Sequence, residues 1–133
     1  MIGYVTLGTD NIARAQAFYD ALLATIGAKR LMTMSEEDGS FTIWGTGFDK
    51  PGLAITRPYN REPADKGNGN MVALMLENRP QVDAFHAKAI ELGGSDEGAP
   101  GLRGDDGPMA FYAAYFRDAD GNKLCAYKIG PDG

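Results

Sequence analysis

The sequence predicts an α+β chain built from two tandem modules, each a strand, a helix and three further strands. Two observations carry this. The chain matches itself at an offset of 67 residues: Tyr4-Val5-Thr6-Leu7 against Met71-Val72-Ala73-Leu74, Asn11 against Asn78, Ala17-Phe18-Tyr19 against Ala84-Phe85-His86, and Gly27 against Gly94. In both copies the apolar pattern then passes from strand alternation to helical spacing and stops at glycine. A duplication of this kind implies two similar units that bury their apolar faces together and leave a site between them.

The elements follow in order. Residues 2–8 alternate, with Val5 and Leu7 on one face and Ile2, Tyr4 and Thr6 on the other. Thr9 or Asp10 is placed to cap the next helix. Ile12, Ala15, Phe18, Tyr19, Leu22, Leu23 and Ile26 recur at helical spacing, and Gly27 ends the helix. Residues 28–34, 40–45 and 52–57 read as three short strands, punctuated by Gly39, Gly45-Thr46-Gly47 and Pro51-Gly52. Module one is thus expected over about residues 1–58, and a polar linker with Pro63, Gly67 and Gly69 over about 59–69.

Module two is expected over about residues 70–130. Val72, Leu74 and Leu76 share one strand face; Met71, Ala73 and Met75 share the other. Asn78 can cap a helix with Pro80 in its first turn. Val82, Phe85, Ala89, Ile90 and Leu92 form its apolar stripe, closed by Gly93-Gly94. Residues 96–108 read as a Gly/Pro/Asp loop, a mobile flap, which leaves this module's second strand weak. Met109 to Arg117 and Asn122 to Ile129 read as strands joined by Asp118-Ala119-Asp120-Gly121, with Asp-Gly as the hairpin signal. Gly130-Pro131-Asp132-Gly133 reads as a loose tail. In each module the Val/Leu face of the first strand should pack on the helix. The face carrying Tyr4 or Met71 should point into the concavity of the curled sheet.

Composition bounds the function. The 133 residues fit one domain, and 44% are hydrophobic, enough for a core. Net charge is −5; residues 1–66 hold 7 basic and 8 acidic residues, residues 67–133 hold 6 and 10. An acidic chain without a basic stripe argues against nucleic acid or an anionic membrane as partner. Cys125 is the one cysteine, so no disulfide forms within the chain and a cytoplasmic setting is expected. Met1 leads straight into Ile2-Gly3-Tyr4-Val5, with no basic leader and no long apolar run, so neither a secretory signal nor a membrane span is expected.

The paired strand–helix openings, Ala17-Phe18-Tyr19, Asp83-Ala84-Phe85-His86, Gly93-Gly94, Gly98-Ala99-Pro100-Gly101-Leu102-Arg103 and Asp118-Ala119-Asp120-Gly121-Asn122 occur in a suggestive order. Together they make nearly the whole chain resemble the vicinal oxygen chelate superfamily: glyoxalases, bleomycin-resistance proteins and extradiol dioxygenases. The resemblance implies one incompletely closed barrel of about eight strands with helices outside, and a homodimer. It also implies a divalent metal held by His, Glu or Gln on the first and last strands of each module. The corresponding positions here are Tyr4, Met71 and Cys125, with a fourth near Ile55 or Thr56. None of these suits a hard or borderline divalent ion, although Met71 and Cys125 are soft enough for Cu(I). No cofactor is therefore expected, and a divalent metal is the disfavoured alternative.

Several residues carry both a chemical and a bland reading. His86, the one histidine, sits at the edge of its helix stripe; it either packs helix on sheet or acts as a general base. Asp118, Asp120 and Asn122 resemble the start of a calcium loop, but Ile129 stands where a closing glutamate is needed, so a turn is favoured. Arg103 either clamps a substrate carboxylate or phosphate, or pairs with Asp96, Glu97, Asp105 or Asp106. Tyr4, Phe41, Trp44, Met71, Met75, Tyr112 and Tyr115 are either core or the lining of a cavity for a flat or apolar ligand. Cys125 reads as a buried thiol rather than a nucleophile. No serine lies in a Gly-x-Ser-x-Gly elbow, which argues against a serine hydrolase.

The expected ligand-binding residues are Tyr4, Trp44, Met71, Arg103, Tyr112 and Cys125; the catalytic candidates are Tyr4, Arg103 and Tyr112. Three functions follow from the resemblance. The first is small-molecule binding in the barrel cavity without metal. The second is a metal-dependent glyoxalase-like lyase or isomerase, or a dioxygenase. The third is a metal-free enzyme that polarises a carbonyl.

Overall fold

A computed structural model describes residues 1–131, so the part of the expected tail at Asp132 and Gly133 lies outside the described residues. The chain divides into two compact units, Met1–Asn68 and Gly69–Gly133.

Unit 1 contains β1 (Tyr4–Gly8), α1 (Ile12–Ala24), β2 (Lys29–Thr33), β3 (Thr42–Gly45) and β4 (Gly52–Thr56), with a short 3-10 turn at Glu36–Asp38. Its sheet runs β1-β4-β3-β2, with β1 parallel to β4 and the other pairs antiparallel. Tyr19 and Leu22 of α1 and Trp44, Leu53 and Ile55 of the sheet are all buried, and the Tyr19 and Trp44 rings lie 5.8 Å apart. The core therefore sits between α1 and one face of the sheet. The cap of α1 is Asn11, whose side chain accepts from Arg14 N at 3.1 Å, not Thr9 or Asp10. Thr9 Oγ1 instead accepts from Asn11 N (3.0 Å), and Asp10 Oδ1 accepts from Ala64 N (2.7 Å).

Unit 2 contains β5 (Val72–Met75), α2 (Arg79–Glu91), β6 (Ser95–Leu102), β7 (Phe111–Arg117) and β8 (Lys123–Ile129). Its sheet, β5-β8-β7-β6, repeats the topology of unit 1. The two helices have the same 13-residue length, and each is capped by an asparagine; Asn78 accepts from Gln81 N at 2.8 Å. Val82, Phe85 and Ala89 of α2 bury against Phe116, Leu124 and Ala126.

Two further expectations are corrected. Residues 95–102 are a strand, not a flap: β6 pairs with β7 through shifted registers at Asp96/Gly98 and Gly98/Gly101. As the edge of its sheet β6 tolerates Pro100, whose missing N–H costs no ladder bond on the outer side. The eight strands are also not one barrel. They form two separate four-stranded ladders, because hydrogen bonding stops at the edges β1 and β2 in one and β5 and β6 in the other.

Between β7 and β8 the chain makes a tight turn. Asp118 Oδ1 accepts from Asp120 N (3.0 Å) and Asn122 N (2.9 Å), and Gly121 takes φ 91°. The Asp118 and Asn122 side chains also bond each other at 3.0 Å. Asp118 thus spends its oxygens on the turn, which is the turn reading rather than the calcium one.

Candidate functional site

Parity along each strand decides which side chains face the helix and which the open side of the sheet. In unit 1 the pairs Thr42↔Ile55 and Trp44↔Leu53 lie on the α1 side. Trp44 is 1% exposed and donates Nε1–H to Asp20 Oδ1 at 2.9 Å, so it is a core residue tied to α1 and does not line the open face. Arg30 grips the same carboxylate through Nε and Nη2, both at 2.8 Å, and its guanidinium holds the Asp20 carboxyl below the ordinary range. Tyr112 is likewise turned to the helix side in unit 2. Its hydroxyl donates to Asp83 of α2 at 2.6 Å, and the Arg79 guanidinium lies 5.2 Å from its ring centre.

The open face of unit 1 is hollow. A cavity of about 930 Å³ is lined by Leu31, Met32, Met34, Phe41, Ile43 and Phe48, with Tyr4 at its edge. Tyr4 meets Phe41 edge to face at 5.7 Å. A charged rim carries Glu37, Asp38, Lys50, Arg57 and Arg61. Arg61 is spoken for, donating to the carbonyls of Glu36 (3.3 Å) and Glu37 (2.6 Å). Gly39 lets this rim close: its φ is 76°, and a Cβ there would lie 2.7 Å from Thr56 Oγ1. The volume falls in the usual range for small-molecule sites, about 300–1,000 Å³.

The open face of unit 2 is chemically different. Pairing outward from the hairpin sets Tyr115 opposite Cys125 and Arg117 opposite Lys123. Cys125 is fully buried; burial pushes its thiol up, while a hydrogen bond from the Tyr115 phenol acts in the other direction. Burial also pushes the Tyr115 phenol up. Arg103 and Lys123 each place their charge 5.4 Å from the Tyr115 ring centre. Arg103 is not paired with the acids beside it in sequence. Its Nη1 donates to Gly101 O (2.9 Å) and its Nη2 to Ala99 O (2.8 Å). Met71 and Met75 alternate onto this same face and are 44% and 71% exposed.

His86 is 8% exposed, with Nε2 3.0 Å from Asp96 Oδ1 and its ring edge-on to Phe116. It ties α2 to β6 on the packed side. Asp96 is held below the ordinary carboxylate range first by the Gly98 N–H and then by His86.

The residues present do not fit a divalent ion. Tyr4 is half-exposed beside Phe41, Met71 offers only a thioether, and Cys125 is fully buried, which pushes its thiol up. The repeat also fixes the fourth position. Thr6↔Ala54 in unit 1 matches Ala73↔Cys125 in unit 2, so Ala54 is the counterpart of Cys125, while Ile55 is buried toward α1. Among the described residues no three His, Cys, Asp or Glu side chains gather closely enough to hold a metal.

Of the residues expected from sequence, Tyr4, Met71, Arg103 and Cys125 lie on open faces of their units, and Trp44 and Tyr112 do not. Sequence reasoning missed Lys123 and the Tyr115–Cys125 pair, although counting two-by-two from the Asp118–Asn122 turn would have matched them. It named Tyr4 and Phe41 of the unit 1 cavity but missed Met32 and Met34, which sit beyond a register shift in β2 that spoils the alternation.

Comparison with known proteins agrees with this architecture. The glyoxalase/bleomycin resistance protein/dioxygenase superfamily matches residues 1–126. A crystal structure of a glyoxalase/bleomycin resistance protein from Albidiferax ferrireducens T118 is 34% identical, with 96% of this chain and 98% of that one covered at a TM-score of 0.80. A glyoxalase/bleomycin resistance protein/dioxygenase family enzyme from Burkholderia phytofirmans PsJN is 17% identical, with 96% and 97% covered at 0.70. A lactoylglutathione lyase from Agrobacterium tumefaciens is 20% identical, with 96% and 92% covered at 0.65; these last two share the fold. No curated protein matches the chain. No helix among the described residues is long and apolar enough to cross a membrane. Two repeated strand–helix–strand–strand–strand units, matched along nearly their whole length by one family, make this chain a member of the glyoxalase/bleomycin resistance protein/dioxygenase superfamily.

Proposed function

We propose that the protein binds a small organic molecule on the open face of unit 1, and that it does so without a divalent metal. The observation that carries this reading is the cavity of about 930 Å³ walled by Met32, Met34, Phe41, Ile43 and Phe48. Such walls gain free energy by removing apolar ligand surface from water, and thioethers adapt to an irregular shape. Tyr4 at the edge supplies a hydroxyl that can donate to a ligand oxygen. The metal-free part rests on donor chemistry: Tyr4, Met71, Ala54 and Cys125 stand where a ligand set would be needed. Met32, Met34 and Phe48 are 44%, 41% and 79% exposed, an apolar surface that supports a homodimer as the working assembly.

The test has two readouts on untagged protein purified without chelator. Mass spectrometry after incubation with Zn, Ni, Mn and Fe is expected to find no metal above background. Titration with the neutral fluorophore N-phenyl-1-naphthylamine is expected to saturate, and Met34→Glu, which puts a charge in the apolar wall, is expected to weaken it at least about tenfold. Near-stoichiometric metal would overturn the metal-free half and turn attention to lyase, isomerase or dioxygenase chemistry. Unchanged probe binding in the variant would overturn the cavity half.

A further inference from the structure

Unit 2 belongs to the more acidic half of the chain, 10 acidic residues against 6 basic ones over residues 67–133, yet Arg103 and Lys123 are among its cations that form no ion pair within the described residues. Two nearby acids are committed elsewhere: Asp106 to Arg79 (2.8 Å) and Glu97 to Arg117. Arg103 and Lys123 instead rest against one aromatic ring, each 5.4 Å from the centre of Tyr115, so the two charges are no farther apart than twice that distance.

The arrangement is built rather than incidental. Arg103 is anchored by the carbonyls of Ala99 and Gly101 at 2.8 and 2.9 Å, which fixes the plane of the guanidinium. Gly98 makes the room: a Cβ there would lie 2.9 Å from Tyr115 Cδ2 and 3.1 Å from Arg103 Nη2. Tyr115 itself is set opposite Cys125 in the β7–β8 ladder, which holds its backbone in register. An arginine has five N–H donors, and two carbonyl bonds leave others able to meet a planar oxyanion. Two like charges set around one ring on the same sheet face raise the local potential until an anion neutralises it. Met71 and Met75 supply apolar surface on the same face.

We propose that Arg103 and Lys123, held against Tyr115, form a subsite for the carboxylate of an organic acid on the open face of unit 2. The subsite stands on unit 2 alone and does not require the unit 1 cavity.

The experiment is an NMR titration of the full chain with benzoate, with its neutral isostere benzamide, and with inorganic phosphate, at matched ionic strength. Benzoate is expected to shift the amides of Gly98, Tyr115, Lys123 and Cys125 saturably, while benzamide at the same concentrations leaves them in place. Arg103→Gln is expected to weaken benzoate about tenfold, the loss of one charge-assisted bidentate contact. Arg103→Lys should recover part of that loss, and Lys123→Gln should weaken binding severalfold. Lys88→Gln, on the helix, should change nothing, which separates a local site from net charge. Benzamide matching benzoate would overturn the proposal, as would an unaffected Arg103→Gln. Phosphate saturating the same amides more tightly than benzoate would overturn the organic-acid assignment in favour of an inorganic anion. Because the fluorophore of the unit 1 test is neutral, failure of the benzoate titration and failure of the cavity reading remain distinguishable.

Discussion

The two units share topology, helix length and an asparagine cap, yet their open faces differ. Both carry thioethers, but unit 1 sets them with aromatic rings around a hollow that has a charged rim, while unit 2 adds a buried thiol and two cations resting against one phenol ring. Their helix faces are alike in another respect. Each carries a carboxylate on the helix that accepts from an aromatic N–H or O–H, and an arginine lies against that ring: Asp20, Trp44 and Arg30 in one, Asp83, Tyr112 and Arg79 in the other. The side of each sheet that packs on the helix is held to one solution by the need to fill space and satisfy polar groups. The other side is free to diverge, and there function is written.

The comparison can be sharpened at matched positions of the repeat. Phe18 and Phe85 are equivalent and are 7% and 1% exposed. Truncating either to alanine is expected to cost about 3–5 kcal/mol, the Phe85 variant the more, because burial and cavity terms add. Urea unfolding measures both; a Phe18→Ala loss larger than that of Phe85→Ala would break the ranking. The aromatic–carboxylate ties should differ more. Asp20→Ala strands the buried Trp44 N–H and is expected to cost about 1–3 kcal/mol, read from the chemical-denaturation midpoint. Its titration has a definite sign. The lowered Asp20 carboxyl stabilises above the ordinary carboxylate range and loses that contribution as pH falls through the lowered value. Arg30→Gln is therefore expected to raise the acid-unfolding midpoint, followed by the fluorescence of Trp44, the one tryptophan.

Smaller effects probe what the repeat keeps. Asn11→Ala and Asn78→Ala each remove a cap and are expected to cost about 1 kcal/mol, equal within error if the caps are truly equivalent. Tyr112→Phe gives up a bond to an exposed carboxylate and should cost less, about 0.5–1 kcal/mol in a thermal melt. A Tyr112→Phe loss as large as that of Asp20→Ala would mean that the unit 2 tie is not the weaker one.

What the sequence revealed follows from the same division. Helices, glycine stops and the hairpin were legible because local spacing and turn chemistry determine them. The cap of α1 was misplaced by one or two residues, since Thr9, Asp10 and Asn11 all have acceptor side chains and only the backbone path selects among them. β6 was read as a flap because Gly98, Pro100 and Gly101 are poor strand formers by composition, and pairing with β7 overrides that preference. Trp44 and Tyr112 were assigned to the wrong face for a different reason. A strand's two faces differ by one residue of register, and a tryptophan fits a core as well as a cavity wall. Arg103 was legible as a candidate, but its aromatic partner was not, because Tyr115 is brought to it by the fold.

The irregular ladder of β6 bears on more than the Arg103 subsite. An outermost strand of eight residues would ordinarily offer its unpaired amides to any other extended chain in the cell. Asp96, Glu97, Pro100 and two register shifts interrupt that invitation, with charge, a missing donor and a local twist. The strand whose Gly98 leaves room for Tyr115 and Arg103 thereby also guards the rim of the sheet against self-association into aggregates.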